Sequence, residues 1–290
     1  MIPAAFDYHA PTTLKEAVAL LSQHKDSAKV LSGGQSLLPL LKLRLGQAGH
    51  LVDIGRIPGL EYIKEEGGML KIGGRTREST LERSELVRAR YPILSDTAQV
   101  IADPLVRNMA TVGGNLAHGD PGNDHPATMI ALGAQVVAVG PKGERVIQID
   151  DFFLGLFQTA LQADEILTEI RVPTPPARSG GAYFKLERKV GDYATAAAAA
   201  QITLGPSGAV ERVGLALTNV GPKPVRSATA EKHLAGKKPD AASIGEAARL
   251  VAQASSPSAD RRGSVDYKRE MARVMAVRAL TRAVERAGGR

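Results

Sequence analysis

The chain contains no cysteine and no tryptophan in 290 residues. The first absence excludes disulfides, zinc–thiolate centres and iron–sulfur clusters held by this polypeptide. Aromatic residues make up 4% of the chain, too few for a surface that stacks nucleobases. The formal net charge of +7 would ordinarily raise nucleic acid as a partner, but the basic residues are interleaved with acidic ones. No run of about 18 apolar residues is present to span a membrane. The opening Met1-Ile2-Pro3-Ala4-Ala5-Phe6-Asp7 lacks the basic and apolar regions of an export signal, so a cytoplasmic protein is expected. Two familiar nucleotide motifs are missing as well. The dinucleotide fingerprint needs glycines two apart, and no two glycines here are so spaced. The P-loop ending also fails, because Gly236-Lys237-Lys238 has no hydroxyl to meet magnesium.

What is present is a repeated glycine chemistry. A β-favouring run from Ala28 to Leu31 enters Ser32-Gly33-Gly34-Gln35-Ser36-Leu37, and about 80 residues later Thr111-Val112-Gly113-Gly114-Asn115 repeats the doubled glycine beside hydroxyl and amide side chains. Adjacent glycines permit positive φ and close approach of a ligand, and successive N–H groups can converge into a nest for an anion. Two such turns read as jaws for one diphosphate, with Ser36, Thr111 and Asn115 as further donors. Glycine pairs also occur at 67–68, 73–74 and 180–181, so tight turns without a ligand are an equal reading on composition alone.

Length suggests about two domains. Thr13 with Glu16 forms a capping box for a helix whose apolar face is Ala17, Val18, Leu20 and Leu21. Strands are expected at 28–31, 51–54 and 165–172, with hairpins across Gly67-Gly68 and Pro141-Lys142-Gly143. Residues 37–45 read as a short helix or turn, because Pro39 disfavours a central strand. Helical spacing covers 80–89 and 93–106, the second stopping near Ala102 before Pro104. Another helix is expected over 126–132. The break at Thr174-Pro175-Pro176-Ala177-Arg178-Ser179-Gly180-Gly181 sets a boundary: 1–176, in subdomains of about 1–57 and 58–176, then 177–290. Beyond it, strands at 182–190, 195–204 and 210–218 precede helices at 229–234, 244–254 and 267–286. The last helix carries an apolar stripe of Met271, Val274, Val277 and Leu280 against Arg269, Arg273 and Arg282. Strands followed by helices indicate an α+β unit with helices on one face of an antiparallel sheet.

Ser32-Gly33-Gly34-Gln35-Ser36-Leu37-Leu38-Pro39, with Arg107-Asn108-Met109-Ala110-Thr111-Val112-Gly113-Gly114-Asn115 and Asp120-Pro121-x-x-Asp124, resembles the FAD-binding medium subunit of molybdenum hydroxylases, the xanthine dehydrogenase and carbon monoxide dehydrogenase family. The similarity runs over nearly the whole chain. Ala117-His118-Gly119-Asp120-Pro121-Gly122-Asn123-Asp124-His125-Pro126 and Lys189-Val190-Gly191-Asp192-Tyr193-Ala194-Thr195 are most similar to its carbon monoxide dehydrogenase branch. Gln35 stands where that branch has histidine and Asn115 where it has aspartate. The resemblance implies an α+β fold: a two-subdomain FAD-binding unit of the vanillyl-alcohol-oxidase type, then a small α+β domain with an antiparallel sheet and C-terminal helices. It implies that Ser32, Gly33, Gly34, Gln35, Ser36, Leu37, Thr111, Gly113, Gly114 and Asn115 hold the FAD diphosphate. It places His118, Asp120 and Asp124 in the loop around the cofactor, Leu167 and Lys185 at the adenine or isoalloxazine end, and Tyr193 near the flavin ring. Iron–sulfur clusters and the molybdenum cofactor would lie on partner chains, a small and a large subunit, in a dimer of heterotrimers. Electrons would arrive from the iron–sulfur chain and leave to a quinone or other acceptor, with peripheral membrane association through that acceptor. Medium subunits of xanthine, aldehyde or N-heterocycle dehydrogenases, a non-enzymatic FAD module and a stand-alone flavin oxidase stay open as alternatives.

Several residues carry a second reading. His118, Asp120, Asp124 and His125 fall within eight residues and have metal-ligand chemistry, but Asp-Pro-Gly-Asn is first a turn sequence, and no metal is expected on this chain. Asp124 would also suit the cap of the following helix. Tyr193 would also suit an edge position in a core strand. Lys42 and Arg44 suit a phosphate or a solvated surface equally, and the basic C-terminal helix reads as a solvated face. No nucleophile, triad or acid–base pair emerges, which suits a subunit that relays electrons.

Overall fold

A three-stranded parallel sheet is built from the first part of the chain. In the computed structural model, which describes residues 2–288, β1 (Asp7–His9), β2 (Ala28–Leu31) and β3 (His50–Asp53) lie in the order β1-β3-β2. Between β1 and β2 runs α1 (Leu14–His24), whose Ala17, Val18 and Leu21 join Ala28, Val52 and Ile54 in one buried cluster. The Thr13 hydroxyl accepts from the Glu16 amide at 3.2 Å, while the Glu16 carboxylate reaches back to the Thr12 amide at 3.0 Å, one residue earlier than a standard capping box. After β2, α2 (Leu37–Lys42) accommodates Pro39 because the first turn of a helix has no intrahelical use for that N–H.

A hairpin follows: β4 (Ile63–Glu66) and β5 (Met69–Gly73), joined by Gly67 and Gly68 at φ 61° and 74°. That pair of positive angles is what a two-residue hairpin turn demands. Where two helices were expected there are four: α3 (Glu78–Arg83), α4 (Glu85–Arg90), α5 (Pro92–Val100) and α6 (Pro104–Arg107). Ser84 caps α4 through the Val87 amide, Pro92 opens α5, and Asp103 caps α6 through the Val106 amide. Pro104 thus begins a helix of its own. Next come α7 (Val112–Ala117), α8 (His125–Leu132), β6 (Gln135–Gly140), β7 (Gly143–Gln148), the small hairpin β8 (Phe153–Gly155) with β9 (Gln158–Thr159), and β10 (Ile166–Pro173). β10 inserts between β5 and β6 to complete a five-stranded antiparallel sheet, β4-β5-β10-β6-β7.

The last sheet is antiparallel, β11 (Ser179–Leu186), β12 (Ala196–Leu204), β13 (Val210–Thr218) and β14 (Val225–Arg226), followed by α9 (Ala228–Leu234), α10 (Ala241–Gln253) and α11 (Val265–Ala287). Ala196 to Ala200 are wholly buried although they alternate between faces. Ala196, Ala198 and Ala200 pack with Ala272, Met275 and Leu280, whereas Ala197 and Ala199 pack with Leu94, Met129 and Ile93. The chain's own last three helices cover one face, and α5 and α8 cover the other. Methyl-sized side chains let helices approach both sides. The buried face of α11 is Ala272, Met275, Ala276, Ala279, Leu280 and Ala283, while Met271, Val274 and Val277 are only partly covered. The expected stripe was rotated because size was read as burial, and alanine is what this close contact takes. Arg269, Arg273 and Arg282 pair with Asp266, Glu270 and Glu285 on the solvated side.

Candidate functional site

A cleft of about 570 Å³ opens where the β2–α2 loop, the start of α7, β10 and the 185–193 segment meet. That is a ligand-sized volume. Of the residues singled out from sequence, Ser32 to Leu37, Thr111, Gly113, Gly114, Asn115, His118, Asp124, Leu167, Lys185 and Tyr193 all line it. Asp120 does not. Its Oδ1 accepts from the Gly122 amide at 2.8 Å, folding the loop on which the Tyr193 ring lies. A Cβ on Gly122 would come within 2.9 Å of that ring, so the small residue seats the aromatic.

The two glycine motifs meet directly: Ser32 Oγ and Thr111 Oγ1 share a hydrogen bond of 3.0 Å. Gly33 is required because a Cβ there would overlap the Met109 carbonyl oxygen, and Gly34 because its φ is 73°. Among the described residues, the N–H groups of Gly33, Gly34, Gln35, Ser36 and Leu37 donate to no backbone carbonyl or side chain. They form a nest of unspent donors. The second motif is different, and corrects the expectation of a matching turn. Val112 to Asn115 are the first residues of α7, capped by Thr111, whose hydroxyl accepts from the Gly114 amide at 3.2 Å. The Val112 amide is taken by Thr76 O, Gly113 by Gly74 O and Asn115 by Thr111 O. Its amides are already committed, so only side chains and packing remain to offer. Gly113 is small because a Cβ would overlap the Gly74 carbonyl. Asn115 presents a buried Oδ1 with no partner in the protein. A buried acceptor without a partner is costly unless something fills the cleft.

Asp124 sits at the position before α8 but does not cap it. Its carboxylate turns inward, accepting from Tyr183 Oη at 2.6 Å and from Lys185 Nζ at 3.0 Å. Lys185 also donates to Val100 O at 2.9 Å and is 2% exposed. Burial pushes the Asp124 carboxyl above its ordinary range, opposed by the Lys185 charge and the Tyr183 hydrogen bond. Burial, then the facing carboxylate, drives the Tyr183 phenol well above its usual value. Tyr183 escaped the sequence reading, although it lies two residues before Lys185 and so on the same strand face. Thr218, whose hydroxyl lies 3.2 Å from the Tyr183 phenol oxygen, left no such signal.

On the other flank Asp192 receives Arg262 Nη2 at 2.7 Å and Arg188 Nε at 3.0 Å. The Arg262 hydrogen bond leads in holding the Asp192 carboxyl down at about 2. Arg262 lies 6.0 Å from the Tyr193 ring centroid, so this pair steadies the ring from behind. Tyr193 is 47% exposed, and Phe157, 53% exposed, tilts against His118 with ring centroids 5.2 Å apart. Burial lowers the His118 imidazole below its usual range, with Asp120 opposing. Among the described residues no cleft serine or threonine is hydrogen-bonded to a histidine or carboxylate base. Nor do His118, Asp120, Asp124 and His125 converge as a metal cluster.

These features suit an elongated anionic ligand with a planar end: a donor nest for phosphate, an unpartnered amide oxygen, and a half-exposed aromatic. Residues 4–175 match the family model described as the FAD binding domain in molybdopterin dehydrogenase, and residues 181–283 match that of the CO dehydrogenase flavoprotein C-terminal domain. The carbon monoxide dehydrogenase medium chain of Hydrogenophaga pseudoflava is 48% identical over 284 residues, covering 98% of each chain. That of Afipia carboxidovorans is 44% identical over 290 residues, covering 100% of this chain and 99% of the relative. A solved carbon monoxide dehydrogenase from Hydrogenophaga pseudoflava superposes with a TM-score of 0.96 at 49% identity, over 99% of each chain.

Proposed function

The chain belongs to the FAD-binding family of molybdopterin dehydrogenases, and on that premise we propose that it is the medium, flavin-holding subunit of a carbon monoxide dehydrogenase. In that role it takes electrons from iron–sulfur clusters on a small subunit, in a complex whose large subunit carries the molybdenum cofactor. The observation that carries the reading is the cleft itself, where unspent amides of residues 33–37 stand beside the unpartnered Asn115 Oδ1. When bound, the flavin supplies the electron storage and the exchange between one- and two-electron carriers.

The chain's own residues bind and orient. Amides 33–37 and the Ser36 hydroxyl, which makes no capping bond to α2, take the diphosphate. Thr111 ties the two walls together, and Asn115 reaches into the cleft. The Asp124–Lys185–Tyr183 cluster fixes the floor, and Leu167 adds an apolar wall where the β10 ladder shifts register between Leu167 and Glu169. Tyr193, steadied by Arg262, shields the ring end. The exposed apolar side chains Phe157, Leu156, Val190 and Tyr193 give the iron–sulfur partner a surface close to that end. Among the described residues no cleft serine or threonine is paired with a histidine or carboxylate base, which supports relay over substrate chemistry. A quinone is the acceptor in this reading. Among the described residues no helix is long and apolar enough to cross a membrane, so contact with a membrane-borne quinone would be peripheral. The division at 176/177 belongs to the same reading, supported by the Pro-rich break there.

The test is reconstitution of the full chain with FAD. Retention of bands at roughly 370 and 450 nm after gel filtration is expected, and their bleaching by a reduced molybdenum/iron–sulfur partner separates the relay from a passive flavin module. Failure to retain FAD would end the proposal.

A further inference from the structure

Half of the six histidines of the chain meet at one place, and none of the three lines the cleft. His9 ends β1, His24 ends α1 and His50 begins β3. β3 ends at Asp53, and the next residue, Ile54, lines the cleft, as does Ala28, which pairs with His50 across the ladder. One ring nitrogen from each imidazole lies within 4.8 Å of the others. His9 Nε2 and His50 Nδ1 are 3.2 Å apart, and the His24 and His50 rings stack with centroids 3.6 Å apart. All three side chains are partly buried, and Asp7 Oδ2 stands 3.6 Å from His50 Nδ1.

We propose that His9, His24 and His50, with Asp7 as fourth ligand, form a binding site for one divalent transition-metal ion of the zinc class.

Nitrogen ligands about 2.1 Å from a tetrahedral ion sit about 3.4 Å from one another, so the His9–His50 spacing already fits and no pair needs to close by more than about 1.4 Å. Neutral imidazole is the ligand form. The donor set, three imidazoles and a carboxylate, suits zinc, copper or nickel and not calcium or magnesium. Asp7 is 76% exposed and free to swing inward. The ion would clamp the end of α1 onto β1 and β3 at one end of the three-stranded sheet.

The experiment uses the untagged full-length chain, stripped with chelator and then dialysed at pH 7.5 against zinc sulfate at about 1 µM free ion, with bound zinc counted by mass spectrometry. About one zinc per chain is expected, falling below about 0.1 in His9→Gln and His24→Gln, with circular dichroism and FAD retention unchanged. Asp7→Asn should weaken binding about 10- to 100-fold. Zinc should raise the melting temperature of the parent chain and of His233→Gln, a control in α9 outside the cluster, but not of the two ligand variants. No zinc on the parent chain, equal zinc on the ligand variants, or loss of zinc in His233→Gln would each overturn the proposal.

Discussion

The two doubled glycines of the cleft share a sequence and little else. Gly33-Gly34 lies in a loop whose five successive amides stay unspent, while Gly113-Gly114 opens a helix whose amides are all engaged by Thr76, Gly74 and Thr111. In the first the glycines free a main chain to face a ligand. In the second Gly113 lets α7 touch Gly74, and the helix start serves as masonry that aims Asn115. The same dipeptide answers two different needs, one of hydrogen bonding and one of close packing.

That contrast can be broken in order of size. The largest effect is expected on the floor both motifs share: Lys185→Met leaves the Asp124 carboxylate buried without its charge partner, costing about 3–5 kcal/mol in urea unfolding. A loss below about 1 kcal/mol would remove the pair from the account. Gly113→Ala should cost the FAD-free chain about 1–3 kcal/mol, because its methyl group meets backbone that cannot move aside. A subtler pair sharpens the difference. Thr111→Ala removes a helix cap and should lower stability by about 1 kcal/mol without ligand. Ser36→Ala should leave the ligand-free stability alone and weaken FAD about tenfold by fluorescence titration. The reverse pattern would exchange the roles of the two motifs. The smallest effect concerns the flank. The Asp192 carboxyl titrates at about 2 in the folded chain against 3.8 ordinarily, so its stabilisation is full above about pH 4 and fades as pH falls through about 2. Melting curves of the parent and Asp192→Asn should therefore differ by a constant gap from pH 5 to 7 and converge near pH 2.

Much of this was legible in the residues. The strand at 28–31, the strand at 210–218 and the turn at Gly67-Gly68 follow from short apolar stretches containing valine and from glycine at the positions that need it. The cleft walls were legible through motif similarity, since spacing alone left the glycine turns without a ligand. Three things were hidden. Thr111-Val112-Gly113-Gly114 reads as a turn because glycine is a poor helix former, and only the contact with Gly74 explains why a helix keeps two. The burial of Tyr183 and the inward turn of Asp124 depend on a partner strand some 60 residues away. The histidine cluster joins three elements whose pairing no local pattern announces, so the expectation of no metal rested on a different group of residues.

The most direct measurement is amide hydrogen exchange of the full chain with and without FAD, read at residues 33–37 and 112–115. The account predicts fast exchange of 33–37 in the ligand-free chain and strong protection once FAD is added, with 112–115 protected in both states. Amides 33–37 that ignore FAD, or new protection concentrated at 112–115, would contradict it.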